Sequence, residues 1–338
     1  VCFIIVGLSA FSQVKSPAFL ADHNKMWVDS VFNTLSLEEK IGQLLLPRGN
    51  YSGQPHDVAL LKKWITDYKI GGIVFFASNP TAQAMITNEL QSSSKVPLLI
   101  GQDFEWGLGM RLDSTDRFPY AATLGAIEGN EDLFEQMGIE LGKQCKRLGV
   151  HINYAPVVDV NNNPNNPVIN FRSFGSDKYK VTTKSLAFMI GMQSTNLLCT
   201  AKHFPGHGDT DVDSHHDLPQ INHDKARLMD VELYPFKNLI DAGLSGIMTA
   251  HLNIPSLEPT VGLASTFSKN IVYKLLREEL QFKGLTFTDA MEMQGAVKNF
   301  PKGEAMVQAL LAGNDILETF MDVPGTVDAI KKAIEDKR

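Results

Sequence analysis

Four of the nine histidines in this chain, at 203, 207, 215 and 216, crowd into fourteen consecutive residues. The segment reads Lys202-His203-Phe204-Pro205-Gly206-His207-Gly208-Asp209-Thr210, then Asp211-Val212-Asp213-Ser214-His215-His216-Asp217-Leu218-Pro219. Two imidazoles spaced like His203 and His207 ligate zinc when a helix sets them on one face. Pro205, Gly206 and Gly208 break a helix here, so neither a metal nor a cofactor is expected. Acid/base chemistry is the other use of such residues. A carboxylate two positions before a histidine, as Asp213 stands to His215, can accept the Nδ1 proton, fix the tautomer and leave Nε2 at the reacting atom. A solvated loop histidine is the plainer alternative on that tripeptide alone. A third feature is Gly284-Leu285-Thr286-Phe287-Thr288-Asp289-Ala290-Met291. Its first acid comes where an apolar strand should end, so Asp289 is placed either to attack an electrophilic carbon or to cap a following helix.

The elements that would position these groups follow from periodicity. Short apolar runs are expected as strands at 41–46, 72–77, 98–103, 151–160, 199–204, 246–251, 285–289 and 315–318. Helical patterns lie between them. Ser36 and Glu39 have the spacing of a capping box, Asn130 opens a helix running to Gly149, and 224–241 and 268–280 read the same way. Near-continuous apolar strands alternating with helices imply a parallel sheet covered outside, and eight such repeats predict an α/β fold, a single (β/α)8 TIM barrel. Barrels of this kind carry chemistry at the carboxyl ends of their strands. Asp103 with Glu105, Asp159, Lys202 with His203, His251 and Asp289 all fall there.

Taken together, Lys202 to His207, Asp213-Ser214-His215 with Pro219, and Thr288-Asp289-Ala290-Met291 resemble the bacterial β-N-acetylglucosaminidase (β-hexosaminidase) branch of glycoside hydrolase family 3. The resemblance runs from about Ser36 to Ile330. It implies an exo-acting, retaining enzyme that releases terminal β-linked N-acetylglucosamine, as from peptidoglycan fragments, through a covalent glycosyl-enzyme. Asp289 would be the nucleophile, His215 the acid/base on a mobile loop, and Asp213 its partner. Asp103, Arg111, Arg172 (in Arg172-Ser173-Phe174-Gly175), Lys202 and His203 would hold the sugar. One departure stands out. Where the recycling enzymes usually read Asp-x-Glu-Gly-Gly-Arg, this chain has Asp103-Phe104-Glu105-Trp106-Gly107-Leu108-Gly109-Met110-Arg111. An aromatic residue there either stacks on a sugar ring or packs the loop. A β-glucosidase of the same family, transfer to phosphate instead of water, and a noncatalytic carbohydrate-binding barrel are the alternatives.

Composition frames this reading. At 43% hydrophobic and 20% charged residues, the chain is ordinary globular material rather than a disordered polymer. Its net charge of -7, from 31 basic and 38 acidic residues without long runs of one sign, argues against a nucleic-acid partner. A small carbohydrate is the expected ligand, and the oligomeric state is left open. The first ten residues are an apolar run too short to span a membrane. With Ala10-Phe11-Ser12 after them they read as a clipped signal-peptide remnant over 1–12, which leaves the catalytic barrel over 13–338 in a periplasmic or secreted protein. Cys145 and Cys199 read as small buried apolar residues.

Overall fold

The computed structural model describes residues 16–20, 25–49, 55–214, 217–293, 297 and 300–338, and the leader expected at 1–12 lies outside them. Its strands are β1 (Leu45–Leu46), β2 (Arg48–Gly49), β3 (Gly72–Phe75), β4 (Leu99–Gln102), β5 (Ile152–Asn153), β6 (Leu198–Phe204), β7 (Gly246–Thr249), β8 (Leu285–Thr288) and β9 (Leu317–Glu318). β2 to β8 form a seven-stranded sheet in chain order, and β1 pairs with β9. Every pairing is parallel. Helices precede β1 and fill each connection from β2 onward: α1 (Lys25–Phe32) and α2 (Leu37–Gly42) come first, then α3 (Pro55–Tyr68), α4 (Pro80–Ser92), α5 (Ala121–Gly125), α6 (Glu131–Leu148) and α7 (Lys178–Ser194). After β6 follow α8 (Lys225–Asp230), α9 (Leu233–Asp241), α10 (Asn270–Glu279, wound with wide π turns), α11 (Glu304–Ala312) and α12 (Val323–Glu335). The architecture is therefore an α/β fold with a curled parallel sheet.

Alternation along the strands splits the core in two, because successive side chains leave a strand on opposite faces. Leu46, Val74, Ile152, Tyr154, Met248, Phe287 and Ile316 meet as one buried cluster inside the curl. Leu45, Ile73 and Phe75 instead join the larger cluster that packs under the helices. Tyr154 and Phe287 meet edge to face at 5.8 Å in the inner cluster. Gly101 is needed there, since a Cβ on it would stand 2.3 Å from the Tyr154 hydroxyl.

Local chemistry accounts for the element ends. Ser36 and Glu39 make both halves of the expected capping box at α2. Helix α6 carries Glu131 and Asp132 in its first turn and Lys146 and Arg147 in its last, matching the helix dipole. It closes on Gly149 at φ 73°, a left-handed position that suits glycine.

Several expected boundaries move. The run 41–46 is not one strand, because Ile41 and Gly42 finish α2. Pro47 then separates β1 from β2, since proline has no N–H for the ladder. The strand expected at 151–160 shortens to β5, with Pro156 interrupting the donors and a single bridge continuing at Val157–Lys202. The helix expected at 224–241 is two helices. Pro235 cannot donate to the Val231 carbonyl, so the helix restarts at Leu233 and keeps Pro235 in its first turn. Cys145 and Cys199 are free and buried, as expected. Among the described residues no helix is long and apolar enough to cross a membrane.

Candidate active site

The charged groups gather at the carboxyl ends of the strands, where parallel sheets present ligands. Asp103 follows β4, Lys202 and His203 lie in β6, Asp289 follows β8 and Glu318 ends β9. The turn after β4 is held by Asn153 on β5, whose Oδ1 accepts the Phe104 N–H at 2.9 Å.

A lattice of ion pairs covers one wall. Asp103 accepts from Arg111 and, at 2.7 Å, from the Lys202 ammonium. Glu105 takes a fork from Arg172 at 2.9 and 2.7 Å and a further contact from Lys202 at 2.8 Å. Lys202 and Glu105 are buried, with side chains 3% and 4% exposed. Burial alone would raise the Glu105 and Asp103 pKa values and lower that of Lys202. The opposite charges outweigh it, holding both carboxyls below their usual range and the ammonium above its own.

Behind them Asp159, fully buried, accepts His203 Nδ1 at 2.7 Å and the backbone N–H groups of His203 and His207. Arg172 approaches His203 Nε2 at 3.2 Å. An arginine only donates, so Nε2 accepts and the imidazole is the Nδ1–H tautomer. The pair seen here is thus Asp159 with His203, on strand ends. Asp289 is half-buried, and its Oδ1 accepts the Ala290 N–H at 2.7 Å. Burial pushes its pKa up, but His203, His251, the Ala290 amide and Lys202 together bring it below the ordinary carboxylate value.

His207 is not a metal partner of His203. Their rings meet edge to face at 5.9 Å, and His207 holds the following loop from within: its Nδ1 pairs with Thr210 Oγ1 at 2.8 Å and its Nε2 with Ser214 Oγ at 3.0 Å. Burial pushes its pKa down to about 4. His215 lies outside the described residues. Of the residues before it, Ser214 lines the cavity described next, and Asp213, half-buried, does not. Farther out, Asp209, His223 and Glu232 stand close enough to share an ion. Asp209 and His223 already pair at 2.6 Å and Arg227 forks onto Glu232, so a cation is in place.

These groups surround a cavity of about 260 Å³, which brings together Asp103, Arg111, Arg172, Lys202, His203 and Asp289, with Trp106 and Met248 among its apolar walls. It is at the small end for ligand pockets. The buried Trp106 Nε1 and Arg111 Nε find no acceptor among the described residues, and such donors ordinarily have one. The arrangement offers one ionised carboxylate facing a ring of fixed donors and acceptors.

The family model described as the glycosyl hydrolase family 3 N-terminal domain matches residues 36–338. The chain belongs to glycosyl hydrolase family 3. Within that family it is similar to the β-hexosaminidase A of Pseudoalteromonas piscicida, 39% identical over 76% of this chain and 46% of the relative. It is likewise similar to the β-hexosaminidase of Nitrosomonas eutropha, 32% identical over 79% of this chain and 78% of the relative. Among solved structures, the family 3 β-N-acetylglucosaminidase of a Paenibacillus species superposes with a TM-score of 0.82 at 35% identity, over 90% of this chain and 59% of that one. The chain thus spans about half the length of some of these relatives.

For this family 3 chain, five of the sugar-holding residues expected from sequence and the expected nucleophile line one cavity. Four more groups take part whose partners nothing in the sequence assigned. Glu105 and Asp159 carried a signal, being acids at strand ends, but nothing local marks which cations they meet. His207 and Glu318 carried almost none.

Proposed function

We propose that this chain is the catalytic part of a retaining β-N-acetylglucosaminidase that releases terminal β-linked N-acetylglucosamine by double displacement. The observation that supports it best is the ionised, half-buried Asp289 facing a one-ring cavity whose other walls are Asp103, Arg111, Arg172, Lys202 and His203. In the first step an Asp289 oxygen attacks the anomeric carbon while the glycosidic C–O bond breaks, and His215 gives its proton to the leaving oxygen. In the second, neutral His215 removes a proton from water, the hydroxide attacks the same carbon, and the Asp289–sugar bond breaks. Asp213 supports the imidazolium. The Ser214–His207 contact supports this assignment because it holds Ser214, the residue before His215 in the chain, at the cavity wall. Arg172, Lys202 and Asp103 suit sugar hydroxyls, since fixed buried polar groups reject ligands that leave them unpaired.

The same reading makes the curled sheet a closed (β/α)8 barrel, supported by the Leu45–Leu317 pairing and the Phe287–Ile316 bridge. It makes the natural substrate a peptidoglycan fragment and the protein exported, supported by the apolar run at 1–10. Amino-terminal sequencing of protein recovered from the host envelope, with Gln13 expected first, checks export. The decisive experiment uses an aryl β-N-acetylglucosaminide: Asp289→Asn should lower turnover by about three orders of magnitude. Near-normal turnover would sink the assignment, and faster cleavage of the aryl β-glucoside by wild type would move the substrate to glucosides.

A further inference from the structure

We propose that Trp106, Tyr120 and Phe171 form an aromatic platform at the cavity mouth that takes the leaving group as a pyranose ring. The inference rests on the glycosidase reading and extends it to the sugar that departs. Trp106 directly follows Glu105, and Phe171 directly precedes Arg172. The Glu105–Arg172 fork therefore brings the two aromatic residues together as it builds the sugar site. Trp106 packs edge-on against Tyr120 at 5.1 Å and against Phe171 at 5.9 Å, and Tyr120 and Phe171 lie 4.4 Å apart. Trp106 lines the cavity, whereas Tyr120 and Phe171 are 42% and 41% exposed outside it. The cluster is thus continuous from the polar cavity to open surface.

Its placement matches the shape of the substrate. A cavity of about 260 Å³ has room for one ring, so the second ring of a disaccharide must emerge at the mouth. A pyranose is amphipathic: its hydroxyls lie around the rim and its axial C–H groups make an apolar face, which suits the electron-rich face of an aromatic ring. Inside the cavity, ion-paired side chains meet hydroxyls; on the platform three uncharged rings meet the apolar face. The loop bearing Trp106 is held, because its carbonyl accepts the Phe118 N–H at 3.0 Å and Gly107 turns the chain away at φ 87°. Two neighbouring large aromatics left this exposed beside a site are an informative surface feature, unlike scattered apolar residues.

The test compares N,N′-diacetylchitobiose, whose leaving group is a pyranose, with N-acetylglucosaminyl fluoride, whose leaving group has no ring. In the Tyr120→Ala/Phe171→Ala double variant, kcat/KM for chitobiose should fall about tenfold, chiefly through KM, while that for the fluoride stays within about twofold. Phe171→Tyr keeps a ring and should retain chitobiose cleavage, which separates stacking from folding. Equal losses on both substrates, or undiminished chitobiose cleavage by the double variant, would overturn the platform. Wild-type protein inert on both would overturn the glycosidase reading instead.

Discussion

Glu105 joins two of the cations that the sequence motifs single out. It is the common partner of Arg172 and Lys202, and through Lys202 it is tied to Asp103. Arg172 in turn donates to His203, whose ring is set by Asp159. Removing one member of a buried charge cluster leaves its partners unpaired in a poorly solvated place, which costs more than the intact cluster contributes. Glu105→Gln keeps the shape and removes the charge. It should lower stability by about 3 kcal/mol in urea unfolding at pH 7 and raise KM for an aryl N-acetylglucosaminide more than it lowers kcat. An unchanged unfolding midpoint would show that the Arg172 fork contributes little.

Among the elements, the α6–α7 pair sets how closely the outer helices approach the sheet. A Cβ on Gly138 would lie 2.3 Å from the Phe188 carbonyl, and one on Gly191 would lie 2.0 Å from that of Glu135. Each helix therefore depends on a glycine in the other's path. Alanine is ordinarily the better helix former by about 1 kcal/mol, so propensity predicts that Gly138→Ala stabilises the protein. The contact predicts the reverse, a melting temperature lower by about 5 °C from overpacking against backbone. Thermal unfolding decides between them, and a rise would disprove the contact argument. The same contrast between local signal and tertiary contact explains what could be read in advance. Apolar runs, the Ser36–Glu39 box and Gly149 are local, and strands and helices appeared near where they point. Pro47, Pro156 and Pro235 were equally visible, yet their effect was undercounted, because a missing N–H matters only once its ladder or helix partner is known. In the site, Asp289, Lys202, His203 and Arg172 were legible through motifs. The roles of Asp159 and His207 were not, since their partners are side chains and amides that folding alone brings near.

Over the whole molecule, the site carries an imbalance of charge that bears on both catalysis and acid stability. Asp103, Glu105, Asp159 and Asp289 are all held below the ordinary carboxylate range, so they are ionised at neutral pH. Against these four charges stand three cations, Arg111, Arg172 and Lys202. Glu318 does not add to the negative side, because burial, with Asp103 and Asp289 nearby, pushes its pKa well up. The remaining negative charge suits a transition state with oxocarbenium character. It also ties stability to pH. Each of the four depressed carboxyls contributes stability above its ordinary pKa that is lost as pH falls through its folded value. Glu318 works the other way, its contribution being lost as pH rises. Two histidines act nearer neutrality, His207 and His151, and burial lowers the pKa of both. The folded pKa of His207 is about 4 against an ordinary 6.5, so below pH 6.5 the unfolded chain takes up a proton that the folded chain refuses. Stability is then lost as the pH falls toward 4. Between pH 7 and 5 this single group should remove about 2 kcal/mol from the wild type. His207→Gln keeps a polar side chain beside Ser214 and does not titrate, so its urea midpoint should decline less over that interval than that of the wild type. Parallel declines would mean that His207 does not set the acid limb and that the other shifted groups, His151 and the carboxylates, do.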